Sequence, residues 1–252
     1  MSGRTTRALR LTGIAGGVAA LCWTIGDALL LGARVRPEDF PILAAYGNGT
    51  DLASMVVQSG LQFFGASTFR LAAGALIAVL TTPLYLAGVW HIYLALRPAG
   101  RWSSFGPALL LAEGYCMAPF VHGSFYYIAE LVKLLPLLDG AAQGRVLDTA
   151  ARATTVLFGT YAVLAVVTIA GFVWMIVVVA RGRSLYPRWI AIANPIVLMV
   201  LGSFADRVLP DPFSRWLEGA GFNLGMLFFF TLSVRVLWSA EIEQGYEQSA
   251  PG

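Results

Sequence analysis

The sequence predicts an all-α integral membrane protein, a bundle of six transmembrane helices with an interfacial helix in its first outer loop. Three observations predict it. Hydrophobic residues fill 58% of the 252 positions and charged ones only 12%, with a mean hydropathy of +0.71, whereas average soluble domains carry about 25% charged residues. So few charges cannot cover a soluble chain of this length, but a bundle surrounded by lipid needs no such cover. The apolar residues also fall into long runs, at about 11–33, 70–96, 105–135, 154–180, 190–209 and 219–238, each close to the length that crosses a hydrocarbon layer of ~30 Å. Finally, the arginines concentrate in short connections between runs, as they do on one side of membrane proteins.

Residues 1–10 form a basic N-terminus with Arg4, Arg7 and Arg10. The run that follows is too long for a signal-peptide core and lacks an A-x-A cleavage site, so it reads as a retained first span. Asp27 is its only acid. Two readings stand for it: an interfacial group reaching headgroups or closing the helix end, and a pocket carboxylate.

The connection from Arg34 to Phe69 is long for a membrane loop. Asn48-Gly49-Thr50 fits the glycosylation pattern but reads as a turn. From Asp51 to Phe64, helical spacing puts Leu52, Met55, Val56 and Phe63 on one side, which predicts an interfacial helix able to act as a lid. In the second span, Thr81, Thr82 and Pro83 predict a kink, because proline removes a backbone hydrogen bond that threonine hydroxyls partly replace. His91, close to the basic loop Arg97–Trp102, reads as a solvated interfacial histidine. Arg70, at the opposite end, reads as a snorkelling side chain or as the ligand of an anionic headgroup.

The third span concentrates the polar residues. Glu113 and Pro119 precede His122, Tyr126, Glu130 and Lys133, whose spacings of four, four and three put them along one helical face. Ionisable groups in hydrocarbon face a bundle interior or a wet cavity, so this span belongs at the centre. Glu113 lies about half a turn from His122 and meets the same cavity only through a kink at Pro119. A short amphipathic stretch with Arg145, Asp148 and Arg152 leads to the fourth span, which is almost wholly apolar and reads as lipid-facing. The fifth carries Asn194-Pro195 and Asp206-Arg207, and the sixth carries Asn223. Residues 239–252 form an acidic tail with Glu241, Glu243 and Glu247.

Six spans put both termini on one side. The loops after the second and fourth spans hold Arg97, Arg101, Arg181, Arg183 and Arg188 without acids, so the positive-inside rule places both termini in the cytoplasm of a bacterial plasma membrane. Asp27, Arg70, His122, Glu130, Asp206 and Asn223 then fall in the outer half, and His91, Glu113 and Asn194 in the inner half. The Gly-x-Trp and Ala-Gly-Phe-Val-Trp echoes at Gly88–Trp90 and Ala170–Trp174, each followed by arginines, hint at a repeat of spans two and three in four and five. Trp and Arg at span ends arise independently at interfaces, and the echo is read that way.

Function is read from this polar set. A net charge of +3, carried by arginines in loops, gives no basic stripe with interleaved aromatics, so nucleic acid is not an expected partner. Cys22 and Cys116 lie in apolar runs and read as packing residues. Two histidines exclude a histidine-rich metal site; no P-loop, G-x-S-x-G or H-E-x-x-H motif occurs, and no metal or cofactor is implied. The expected partners are membrane lipids and a hydrophobic small-molecule substrate. The favoured reading is a metal-independent acid/base enzyme acting on a lipid or isoprenoid as an isomerase, cyclase or hydrolase. In it His122 transfers a proton, Asp27 or Glu130 orients it or stabilises a developing cation, and Tyr126 hydrogen-bonds; Arg70, Asn223 and Asp206 bind substrate. The structural reading of the same residues is that His122 joins two helices and Glu130 pairs with Lys133 or Arg70 to hold the bundle. Two further readings are a small proton-coupled transporter, with Glu113, Asn194 and His91 completing a path, and a non-catalytic partner protein that binds through the outer loop.

Overall fold

A computed structural model describes residues 3–31, 54, 56–57, 60, 63–205 and 213–249, with side chains described except at 3–5, 201–205, 213–218 and 239–249. The described residues form helices and turns and no strand. Six long elements follow one another: α1 (Gly3–Leu31), α2 (Thr68–Leu96), α3 (Arg101–Leu134), α4 (Gly140–Ala180), α5 (Pro195–Ala205) and α6 (Phe213–Ser249). Four helical stretches among the described residues are long and apolar enough to cross a membrane, Thr6–Leu31, Thr68–Ala99, Gly140–Ala180 and Gly219–Trp238. The chain thus fits an integral membrane protein. α3 is long enough, but Glu113, His122, Glu130 and Lys133 dilute its apolar character, and α5 has only 11 described residues.

Several boundaries differ from the sequence reading. The amphipathic stretch and the fourth span are one continuous helix of 41 residues, α4. At 1.5 Å per residue it is about 60 Å long, roughly twice a hydrocarbon layer. The fifth span does not begin as an α-helix at 190: Arg188–Ala191 is a 3-10 turn, and α5 starts at Pro195. Asn194 sets that start, its Oδ1 accepting from the Ile196 N–H at 3.0 Å, while Pro195 follows as a first-turn residue that has no N–H to leave unpaired. α6 continues past 238 to Ser249, so helix extends well into the acidic tail. α2 runs through Pro83 without a break; the Thr81 hydroxyl donates to the Ile77 carbonyl at 2.6 Å and that of Thr82 to the Ala78 carbonyl at 3.2 Å.

Packing order follows from which faces are small. α1 packs on α2 and α6, α2 on α3, α3 on α4, and α5 on α6. At the α1–α2 crossing, a Cβ on Gly26 would stand 2.8 Å from the Gly74 carbonyl oxygen, and one on Gly74 would stand 2.9 Å from that of Gly26. Only glycine lets two membrane helices approach so closely. The ring α4–α3–α2–α1–α6–α5 is nearly closed, but among the described residues α4 meets α5 along only a short stretch. A cleft therefore runs between α4 and the α5–α6 pair.

One end of the bundle gathers the arginine-rich loops. The Leu185 N–H donates to the Ala95 carbonyl at 2.9 Å, tying the loop after α4 to the end of α2, and the Arg10 guanidinium lies 4.0 Å over the Trp238 ring. Trp90, Trp102, Trp174 and Trp189 stand exposed near these loops, as aromatic residues do at a membrane interface. At the far end, the described residues of the predicted interfacial helix, Ser54, Val56, Val57, Gly60, Phe63 and Phe64, are helical. They pack inward: Val56 and Val57 join Val121, Ile128, Val132 and Leu147 in one apolar cluster, and Phe63 joins Leu30, Leu71 and Ala129 in another. Leu52, Met55, the turn at Asn48-Gly49 and Asp206 lie outside the described residues.

Candidate functional site

The cleft contains a cavity of about 490 Å³, bordered by α1, α3, α4, α5 and α6, a size typical of small-molecule sites. Most of its wall is apolar, with Leu157, Phe158, Leu164, Ala165 and Ile169 from α4, Ile196 and Met199 from α5, and Val121 and Phe125 from α3. Polar groups gather toward one end. Asp27 from α1, His122 from α3 and Asn223 from α6 all border the cavity and are at most 7% exposed.

The three side chains are held together by long-range contacts. Asn223 Nδ2 donates to Asp27 Oδ2 at 2.7 Å, and His122 Nε2 lies 3.4 Å from Asp27 Oδ1. Behind Asn223, the Tyr85 hydroxyl of α2 donates to Asn223 Oδ1 at 2.6 Å. Aromatic rings fix the rest: Trp23 stands edge-on to His122 at 4.3 Å and to Tyr85 at 5.5 Å, and Tyr115 stacks on Tyr85 at 4.3 Å. Burying a carboxylate requires such partners, because an isolated one in hydrocarbon is very costly. The arrangement excludes the reading of Asp27 as an interfacial helix cap.

The neighbours of His122 fix its ring. A carboxylate beside Nε2 favours the tautomer with its hydrogen there and leaves Nδ1 as a bare acceptor. Nδ1 is buried without a hydrogen-bond partner among the described residues, and so are Trp23 Nε1 and the Tyr115 hydroxyl. Buried polar atoms are nearly always satisfied, so three orphans on residues that border one cavity are unusual.

Other residues singled out from the sequence stand elsewhere. Tyr126 and Glu130 do not border the cavity. An α-helix advances 100° per residue, so four- and eight-residue steps from His122 turn these side chains by about 40° and about 80° away from it. Glu130 is partly exposed and pairs with Lys133 at 3.0 Å, and Lys133 also donates to the Thr68 hydroxyl at 3.1 Å. Tyr126 packs beside the Leu30–Phe63–Leu71 cluster. Arg70 does not border the cavity: its Nε and Nη2 donate to the Leu29 and Ala28 carbonyls at 2.9 and 3.0 Å, closing the end of α1. Glu113 is exposed on the outer face of α3 and Asn194 is buried at the start of α5.

His91, expected to be solvated, is 0% exposed. Its Nδ1 lies 2.7 Å from the Leu9 carbonyl and its Nε2 lies 2.6 Å from Ser233 Oγ, which is 2.9 Å from the Tyr186 hydroxyl. A carbonyl only accepts, so Nδ1 donates; Ser233 then donates to Nε2 and receives the Tyr186 proton. Every polar atom in this chain has a partner, which makes it a structural joint of α1, α2, α6 and the loop after α4. Tyr186, outside the apolar helices, has its hydroxyl pushed well above the usual tyrosine range by burial.

Tyr85, Tyr115 and Trp23 carry no sign in the sequence beyond being aromatic residues in apolar helices. Among the described residues no three of His, Cys, Asp or Glu gather closely enough to hold a metal ion. The model of a family of unknown function, DUF6796, matches residues 1–240, and the chain belongs to that family. No curated protein and no solved structure matches the chain.

Proposed function

We propose that this member of DUF6796 is a six-span protein of a bacterial-type inner membrane, with both termini cytoplasmic, that performs acid/base chemistry on a lipid or isoprenoid in the outer half of the bilayer. The observation that carries the reading is the buried Asp27–His122 contact at the polar end of an otherwise apolar cavity. In this scheme His122 exchanges a proton with substrate through Nδ1, and Asp27 keeps the imidazole in register and stabilises its charged form. Asn223, itself held by Tyr85, fixes the carboxylate. Isomerisation, cyclisation and hydrolysis all use such a pair.

Access supports a lipid-phase substrate. The cavity wall on α4 remains open to the side: Phe158, Tyr161 and Ile169 border the cavity and are also between 41% and 50% exposed. Since the described residues of α4 and α5 touch only briefly, a chain sliding between them has a route to Asp27 and His122. Transport receives less support. The second half of a proton path was to come from His91, Glu113 and Asn194, yet His91 is fully bonded within its own network and Glu113 faces outward from α3.

The test compares total lipid extracts from cells lacking the protein, carrying it, and carrying His122→Ala or Asp27→Asn. The expected result is a species present only with the intact protein. Identical extracts from all four, with both variants folded and in the membrane, would sink the acid/base reading.

A further inference from the structure

The charges around the cavity restrict what head group it accepts. Among the described residues no Lys or Arg borders it. Two cations that the sequence singles out are engaged elsewhere, Arg70 with the carbonyls at the end of α1 and Lys133 with Glu130 and Thr68. A phosphate or carboxylate head beside Asp27 would sit in a low-dielectric site with a like charge and, among the described residues, no Lys or Arg to offset it.

The orphaned atoms restrict it further. His122 Nδ1, with Asp27 beside Nε2, accepts; Trp23 Nε1–H only donates; the Tyr115 hydroxyl does either. A carbonyl head would accept from Trp23 but leave Nδ1 unmet, and an ammonium head would donate to Nδ1 but leave the Trp23 N–H unmet. A hydroxyl donates once and accepts twice, so it answers all three. The remaining wall, on α4 and α5, is mostly hydrocarbon and aromatic, with Thr168 and Tyr161 as its hydroxyl-bearing residues.

From this we infer that the cavity binds an uncharged long-chain alcohol, with its hydroxyl among Trp23, Tyr115 and His122 and its chain lying along α4 toward the cleft. The three atoms are covered, so the inference requires the rings that carry them to turn toward the cavity when the alcohol binds. The inference rests on the reading of the cavity as a lipid site, but on binding alone and not on turnover.

The experiment uses the full chain in nanodiscs of zwitterionic lipid and a photoactivatable hexadecanol. Labelling is expected on peptides of α1 and α4, and hexadecanol should compete at least about ten-fold better than hexadecyl phosphate or hexadecylamine, the ratio that one good polar match supplies. Trp23→Phe and Tyr115→Phe should each weaken labelling about five-fold, the worth of one hydrogen bond. Ala165→Phe, which fills the cavity from α4 without touching the polar end, should abolish it, and serves where the aromatic variants fail to fold. Equal competition by the phosphate or the amine, or full labelling of Ala165→Phe, would overturn the assignment. Alcohol-selective labelling together with unchanged lipid extracts in His122→Ala cells would leave the ligand class standing and remove the acid/base reading. Altered extracts with non-selective labelling would do the reverse.

Discussion

Asn223 Nδ2 donates to Asp27 Oδ2 at 2.7 Å, and this one bond joins α6 to α1 at the polar end of the cavity. The amide cannot be turned around, because its oxygen would then face the carboxylate and its NH2 the Tyr85 hydroxyl, which already has its own proton to give. Tyr85, Asn223 and Asp27 therefore form a directed chain in which the Tyr85 hydroxyl donates to Asn223 and Asn223 donates to Asp27.

Asn223→Leu should destabilise the folded protein by about 1–3 kcal/mol, since it leaves Asp27 buried with His122 as its remaining partner. Tyr85→Phe removes only the outer bond and should cost about 1 kcal/mol. Thermal unfolding in detergent of both single variants and the double variant checks the chain. The double should fall short of the sum, because Tyr85 acts on Asp27 through Asn223. Strict additivity would show that the two bonds are independent.

The sequence made the site half legible, and the reason is chemical. Asp27, His122 and Asn223 stand out because polar side chains are rare and costly in apolar runs. Their partners Trp23, Tyr85 and Tyr115 do not, because aromatic residues are ordinary in membrane helices and their contacts here span up to 138 positions, as between Tyr85 and Asn223. Helical spacing misled where it was carried too far, adding Tyr126 and Glu130 to a face that had already turned away. The apolar runs located the helices well. Helix continuity was less legible: nothing in the local pattern joins Arg145–Arg152 to the apolar run beyond, and their union in α4 depends on packing against Val132, Leu135 and the segment around Val56.

Ser233→Ala should lower stability by about 1–2 kcal/mol, because it strips His91 Nε2 and the Tyr186 hydroxyl of their shared partner while both remain buried. Lipid extracts from cells carrying a folded Ser233→Ala protein should match wild type. A change in the extracts with no loss of melting temperature would move this network from support into function.

Tyr186 makes stability sensitive to alkali. Burial holds its hydroxyl well above the usual range, so the folded chain keeps this proton at a pH where the unfolded chain, titrating near ~10, has lost it. More protons bound in the folded state means stability falls as pH rises. The contribution is intact below about pH 10 and is lost progressively above it. Melting curves recorded from neutral pH upward should show a smaller alkaline decline in Tyr186→Phe than in wild type; parallel declines would mean that the hydroxyl ionises without opening the fold.

Arg70→Met should cost about 1–2 kcal/mol, since it leaves the Ala28 and Leu29 carbonyls at the end of α1 without their charged donor. It should leave the binding of alkyl phosphate and alkyl alcohol to nanodisc-embedded protein unchanged. A selective loss of phosphate binding would restore Arg70 as a headgroup ligand.

Gly114 decides how closely α3 and α4 approach beside the cavity. A Cβ there would run into Thr168 Oγ1 but would lie 3.5 Å from Thr168 Cβ, so the clash is with the hydroxyl alone. Gly114→Ala should therefore force the helices apart and destabilise by about 1–3 kcal/mol, as overpacking does. Removing the obstructing oxygen with Thr168→Ala should restore most of that loss in the double variant, even though Thr168→Ala by itself adds no new contact. Because both residues border the cavity, the single variant should also disturb alcohol labelling and the double variant recover it. Rescue of stability without rescue of labelling would mean that the Thr168 hydroxyl belongs to the binding site as well as to the wall.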